Sequence, residues 1–459
     1  MAANELNEII AASAADYAVP GIAVGIWHQG REIYASHGVT SIDHPLPVDQ
    51  DTIFTLGSTT KSFTATALVI LAERGEVDFD APVRRYLPDF KLADEQHAGS
   101  VTVANLLNHT AGLDTWMLLD TGDGDDALKT YVDHLDEITL IGKPGERASY
   151  SQAGFNLLGR IIEAVTGKTY EKAIAELLFE PLGLERSTFF AAEAMTHKFS
   201  LGHNVTDEGT TVSRPWKLHR AQNPGGGGAA STRDLVRWAR FHLGDGRTES
   251  GERLVSADAL HAMRNQTVEL RGSSIGDGFG ICWFLREVDG AATFGHGGSA
   301  YGQFADLIVV PEHDFAIAVA TNAEPGGTPC NQAVIRWALE HYLGLVDRDP
   351  EPVVYDAERS AEIIGDYDVD MMTVSIVDEG DRLTLAARIK PELRESSEVE
   401  LPADCEPAHM GFLGVEGDDY IVTEGPLQGQ RGYFARDTNG AVIAIDLAGR
   451  QFRRVPGRG

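Results

Sequence analysis

FTLGSTTKSFTATALVILAERGEVDFDAPVRRYLP, residues 54–88, sets a serine and a lysine three positions apart at the head of an apolar helix. From Ser62 onward the apolar positions recur at helical spacing until Gly75 supplies a C-terminal stop. Ser58 and Lys61, at i and i+3, therefore share one helical face and lie within mutual reach. A serine hydroxyl is a weak nucleophile until a neighbour takes its proton, and a lysine can do so once burial or another cation lowers its pKa. Free backbone N–H groups at a helix start can also stabilise an oxyanion. Taken alone, Ser-x-x-Lys fits equally a plain N-cap beside a solvated lysine, so the rest of the chain must arbitrate.

Upstream, residues 5–17 read as a short helix leading into two apolar runs joined by His28-Gln29-Gly30-Arg31, a β-hairpin. Downstream, residues 105–113 read as a helix end and a turn, and 120–126 as a polar surface loop. Residues 155–184 hold two helical patterns parted at Gly167. Asn223-Pro224 and Gly225 to Gly228 read as a flexible loop that lets the chain pass close to the site. Ser231 to Asp234 read as a helix start with a capping box. Successive strands follow up to Asn322, and the helix 334–345 closes an α/β (α+β) unit with an antiparallel sheet. The Pro- and acid-rich 346–358 reads as a linker between a first domain, 1–345, and a second, 359–459. The second is built of short alternating strands with Gly/Asp turns, the pattern of a small all-β barrel or sandwich.

Composition narrows the function. Of 459 residues, 43% are hydrophobic and 23% charged, which suits a globular protein with a large core. Lys+Arg at 38 against Asp+Glu at 69 leaves −31, a charge that repels phosphate backbones and anionic lipid. No nucleic-acid or membrane partner is expected. Cys282, Cys330 and Cys405 are odd in number and widely spaced, which suits a reducing compartment. The N-terminal stretch has acidic residues and no basic n-region, and no segment offers about 18 uninterrupted apolar residues. A cytoplasmic enzyme without metal or cofactor is expected.

Four blocks occur in order: residues 54–88, then LLNHTAGL (106–113), PGERASYSQAGFNLLGRIIEAVTGK (144–168) and GHGGSAYGQFADLIVVPE (295–312). Together they resemble the serine β-lactamase and penicillin-binding-protein superfamily, on its class C β-lactamase and esterase branch, over about residues 7–345. The resemblance implies a β-lactamase/transpeptidase-like domain followed by a lipocalin-like barrel. It implies that Ser58 is acylated, that Lys61 takes or shares its proton, and that Tyr150 acts as general base and acid. Tyr150 would work near neutral pH if the lysine charge lowers its pKa. His296, in His296-Gly297-Gly298-Ser299, stands where the family has Lys-Thr-Gly, and would hydrogen-bond the tyrosine or the carboxylate side of the substrate. Gly297 and Gly298 would let an acyl chain lie against the strand edge. The backbone N–H groups of Ser58 and Ser299 would form the oxyanion hole.

Two departures stand out. Gln152 replaces the asparagine that ends the second motif, and its amide would reach the substrate or Lys61 from a shifted position. His296 replaces the lysine of true β-lactamases, so a fixed charge for a β-lactam carboxylate is missing. The implied activity is that of a serine hydrolase or acyltransferase on ester or peptide-like amide substrates: an esterase, D-amino-acid peptidase or amidase. An alternative is a transacylase or peptide cyclase resembling the barrel-tailed relatives that release nonribosomal peptides, and another is an inactive binding or regulatory protein. His109 reads as a turn stabiliser. Trp116, Trp216 and Trp283 read as cleft or packing residues.

Overall fold

The computed structural model describes residues 2–114, 119–271, 273–396 and 404–456; Trp116 lies outside them. Helix α1, Ala2–Asp16, leads into β1, Gly21–His28, and β2, Arg31–Gly38. Gln29 and Gly30 turn that hairpin, both at positive φ (48° and 79°), the geometry that two-residue hairpin loops demand. A short 3₁₀ turn, Gly57–Thr60, runs into helix α2, Lys61–Glu73. Helix α3, Gln152–Thr166, ends at Gly167 in the left-handed conformation, and helix α4 spans Thr232–Leu243. Six strands follow: β3 (Val268–Glu269), β4 (Gly278–Phe279), β5 (Phe284–Val288), β6 (Ala291–Ala300), β7 (Gln303–Val310) and β8 (Phe315–Thr321). Helix α5, Gly327–Leu343, comes after them.

The sheet order is β2-β1-β8-β7-β6-β5-β4-β3. Every residue of β8 is buried, as its unbroken apolar run FAIAVAT requires of a strand covered on both faces. One face packs against α1 and α5 through Ile10, Ala14, Val334 and Ala338, and the other against the helices around α2. Residues Lys61 to Leu71 of α2 are all buried, which makes it the central helix of that layer.

Between Leu343 and Ala357 there is neither helix nor strand, but the segment is tied down. Arg286 clasps Asp347 with two hydrogen bonds (3.0 and 2.6 Å), and Arg336 clasps Asp349 likewise. Its acidity thus does structural duty, because forked guanidinium–carboxylate pairs fix direction as well as distance. Eight antiparallel strands then close a barrel in chain order: β9 (Gly365–Asp368), β10 (Met372–Asp378), β11 (Leu383–Ile389), β12 (Cys405–Phe412), β13 (Asp419–Val422), β14 (Arg431–Arg436), β15 (Val442–Leu447) and β16 (Arg450–Arg454). Val374, Leu385, Tyr420, Phe434 and Ile445 fill it. Up-and-down closure removes every open edge. Among the described residues no helix is long and apolar enough to cross a membrane.

Two local expectations need correcting, and one left open is decided. Residues Asn223–Gly226 form a helical turn and Gly225 to Gly228 are buried, so this is a packed wall and not a flexible loop. A Cβ on Gly225 would fall 2.0 Å from Gln152 Nε2, so the glycine permits the close approach. Ser231 caps α4 by accepting from Asp234 N. The capping box is only half made, because Asp234 accepts from Arg186 N and Ser187 Oγ instead. Trp283 is fully buried beside His242 and Phe294, and Trp216 donates to Ser200 O against Phe199; both serve packing.

Candidate active site

The 3₁₀ turn carrying Ser58 is pressed against β6 so closely that only glycine fits on either side. A Cβ on Gly57 would lie 2.3 Å from Ser299 N, and one on Gly298 would lie 2.4 Å from Ser58 N. Gly57 also sits at φ +50°, a conformation that side chains disfavour. Thr59 Oγ1 locks the contact by donating to His296 O and Ala305 O, at 3.2 and 3.1 Å. The backbone N–H groups of Ser58 and Ser299 are thereby brought to one place beside the Ser58 hydroxyl, which lines a cleft of about 370 Å³.

Lys61 is wholly buried below that hydroxyl. Its Nζ lies 2.6 Å from Gln152 Oε1, 2.6 Å from Gly225 O and 3.1 Å from Ser58 Oγ. The first two are amide oxygens and can only accept. A neutral amine would give its two N–H bonds to those oxygens and turn its lone pair to Ser58, whereas an ammonium would donate to all three. Burial holds the Lys61 pKa well below its ordinary value, in the direction of the neutral amine, and Arg450 pushes the same way. Gln152, expected to reach the substrate or Lys61, is itself buried and gives its oxygen to Lys61. The extra methylene is taken up by that contact.

Tyr150 follows the same logic in reverse. Burial raises its phenol above the ordinary value, outweighing the Ser58 hydroxyl and Arg450, which both pull it down. Expected to be lowered by a lysine charge, the phenol is instead held neutral, because burial outweighs the groups that pull it down. Its ring lies 4.7 Å from Lys61 Nζ. His296 stacks on Phe284 at 4.1 Å, and its Nδ1 lies 2.6 Å from Gly297 O. Burial first, and then Lys61, hold its pKa down to about 3. The imidazole is neutral, its Nε2 has no partner among the described residues, and its ring centre is 6.1 Å from that of Tyr150. The expected hydrogen bond to the tyrosine is not made. His109, at φ +59°, accepts from Ser151 N (3.1 Å) and stacks on Tyr150 at 4.4 Å, so this turn holds the tyrosine ring in place.

The beta-lactamase family model matches residues 6–339, nearly three quarters of the chain. The chain belongs to the beta-lactamase family. Penicillin-binding protein 4 of Amycolatopsis lactamdurans is 35% identical over 312 residues, which cover 67% of this chain and 82% of that protein. Among solved structures, SurE aligns with a TM-score of 0.74 at 24% identity over 99% of both chains. A class C beta-lactamase from Rhodobacter sphaeroides aligns with a TM-score of 0.59 at 24% identity, covering 72% of this chain and 99% of its own. These two likenesses show the fold. The family supports a serine acyl-transferring hydrolase in general terms.

One wall of this beta-lactamase-fold cleft comes from the barrel, a placement that the change to short strands after residue 358 leaves open. The β15–β16 turn, with Ala448 and Gly449 both at positive φ, reaches the catalytic layer. Tyr150 N donates to Gly449 O at 2.8 Å, and Gln451 N to Ser149 Oγ at 3.2 Å. Arg450 consequently stands over the Tyr150 ring, 4.8 Å from its centre, and lines the cleft beside Ser58. The only local signal in the sequence, LAGRQ at 447–451, predicts a hairpin turn and nothing about what it touches.

Proposed function

We propose that the protein transfers acyl groups through a covalent Ser58 ester, acting on esters or amides of peptide-like acids. The contact of buried Lys61 Nζ with Ser58 Oγ, at 3.1 Å, carries this reading. Lys61 Nζ takes the Ser58 Oγ proton as Oγ attacks the substrate carbonyl carbon. The carbonyl oxygen gathers negative charge facing the N–H groups of Ser58 and Ser299. As the tetrahedral adduct collapses, Tyr150 gives its proton to the departing alcohol or amine, and the Lys61 ammonium returns one to Tyr150. The steps reverse with an incoming acceptor, and proton balance is restored at each turnover. Arg450 supplies the fixed cation that neutral His296 does not, placed to favour both a transient tyrosinate and a substrate carboxylate.

Water as acceptor gives an esterase or peptidase. An amine acceptor gives a transacylase or cyclase. SurE, which shares the whole two-part plan, was solved with D-Leu, in keeping with amino-acid or peptidyl substrates for this chain also. Intact-protein mass spectrometry after incubation with a p-nitrophenyl ester, a D-amino-acid amide, a β-lactam and a peptidyl thioester tests the proposal. An adduct that vanishes in Ser58→Ala supports it; adducts that persist in that variant, or none from any probe, overturn it.

A further inference from the structure

The cleft that holds Ser58 runs on past the barrel turn to a second group of charges. Its lining includes four arginines, Arg286, Arg336, Arg431 and Arg450, against three aspartates, Asp306, Asp347 and Asp349. In a chain of net charge −31 a cleft with more cations than anions runs against the background. The pairing is uneven as well. Arg286 and Arg336 are each forked onto an aspartate, which uses up Asp347 and Asp349. Arg431, at the start of β14, has no carboxylate within ion-pair distance among the described residues, and its buried Nε has no hydrogen-bond partner. It is held at the mouth by its backbone: Ser274 N donates to Arg431 O, and Ser274 Oγ to Gln430 Oε1.

We propose that Arg431 is an anion subsite of this cleft, binding an oxyanion, carboxylate or phosphate, carried by the substrate away from the carbonyl that Ser58 attacks. A partly buried guanidinium that no carboxylate pairs directly, with Asp277, Asp349 and Asp347 acting on it only from beyond ion-pair distance, is costly in the empty cleft, and a forked contact to an oxyanion offsets that cost when substrate binds. Three features make it a site. The guanidinium makes no ion pair among the described residues, Asp347 and Asp349 are already forked onto other arginines, and it opens into the same cavity as Ser58. The inference deepens the acyl-transfer reading and rests on it.

The test uses the full-length protein and matched substrate pairs. One pair is a p-nitrophenyl ester whose acyl chain ends in a carboxylate or in its primary amide. The other carries a phosphate or a free hydroxyl on the leaving alcohol. Arg431→Gln is expected to lower kcat/KM by about 10- to 100-fold on the anionic member of one pair and less than about twofold on the neutral members. Arg431→Lys should restore part of the loss. The affected pair tells whether the oxyanion belongs to the acyl group or to the leaving group. Equal losses on anionic and neutral members would reduce Arg431 to a structural role and overturn the proposal, as would no loss on either. If Arg431→Gln does not fold, Arg431→Lys decides: it must lower kcat/KM on the anionic members more than on the neutral ones, or the subsite is refuted. Ser58 labelling by the neutral ester, unchanged throughout, separates failure of the subsite from failure of the acyl-enzyme reading.

Discussion

The two walls of the cleft are built on opposite principles. On the side of Ser58 and Lys61, every polar contact of the lysine is made within the protein, at 2.6, 2.6 and 3.1 Å, deep in a helical layer. On the barrel side, Arg450 rests on an aromatic face and Arg431 has no counter-ion among the described residues. The first wall is satisfied before substrate arrives and is suited to chemistry, whose geometry must not move. The second is left partly unsatisfied and is suited to recognition, because a cation already paired has little left to offer a ligand.

Replacing Lys61 strikes the first wall hardest. Lys61→Met is expected to lower kcat for acylation by about 10²- to 10⁴-fold, in line with removal of a general base. It should also lower the urea midpoint at neutral pH, since the buried Gln152 and Gly225 oxygens lose their donor. Acylation that survives in Lys61→Met would reduce Lys61 to a structural role, and the contrast between the walls would fail. On the second wall, Arg450→Met should lower kcat/KM by about tenfold on carboxylate-bearing substrates while Ser58 still labels with a small neutral ester. An unchanged ratio between charged and neutral substrates would leave the barrel a mere roof.

The smallest effect concerns pH. Burial holds His296 down at about 3, against an ordinary 6.5. Between roughly those two pH values the unfolded chain takes up a proton that the native state does not, so stability falls as pH falls through that window. His296→Gln should flatten this part of the acid limb, as read by urea midpoints from pH 7 to pH 3. A limb of unchanged slope would show that the imidazole is protonated in the folded protein.

Much of the catalytic layer was legible along the chain. Ser58, Lys61, Tyr150 and His296 stand in short motifs, and local patterns such as the Gly30 hairpin and the Gly167 helix stop declare themselves within a few residues. For the glycine run the close passage by the site holds and the flexibility does not, because glycine marks both with the same letter. Only the packing of Gly225 against Gln152 and Lys61 tells which applies. His109 read as a turn residue and proved also to be the ring that holds Tyr150.

By itself the sequence determined the element order, the Ser58–Lys61 spacing on one helical face, the change to an all-β tail and the excess of acidic residues, since these follow from local periodicity and composition. Tertiary structure alone decided the protonation states and the second wall. Whether Lys61 is neutral depends on burial by residues 91 and 164 positions away, and the placing of Arg450 over Tyr150 depends on a turn 300 residues downstream. Desolvation and long-range contact are properties of the folded packing, and no local pattern encodes them.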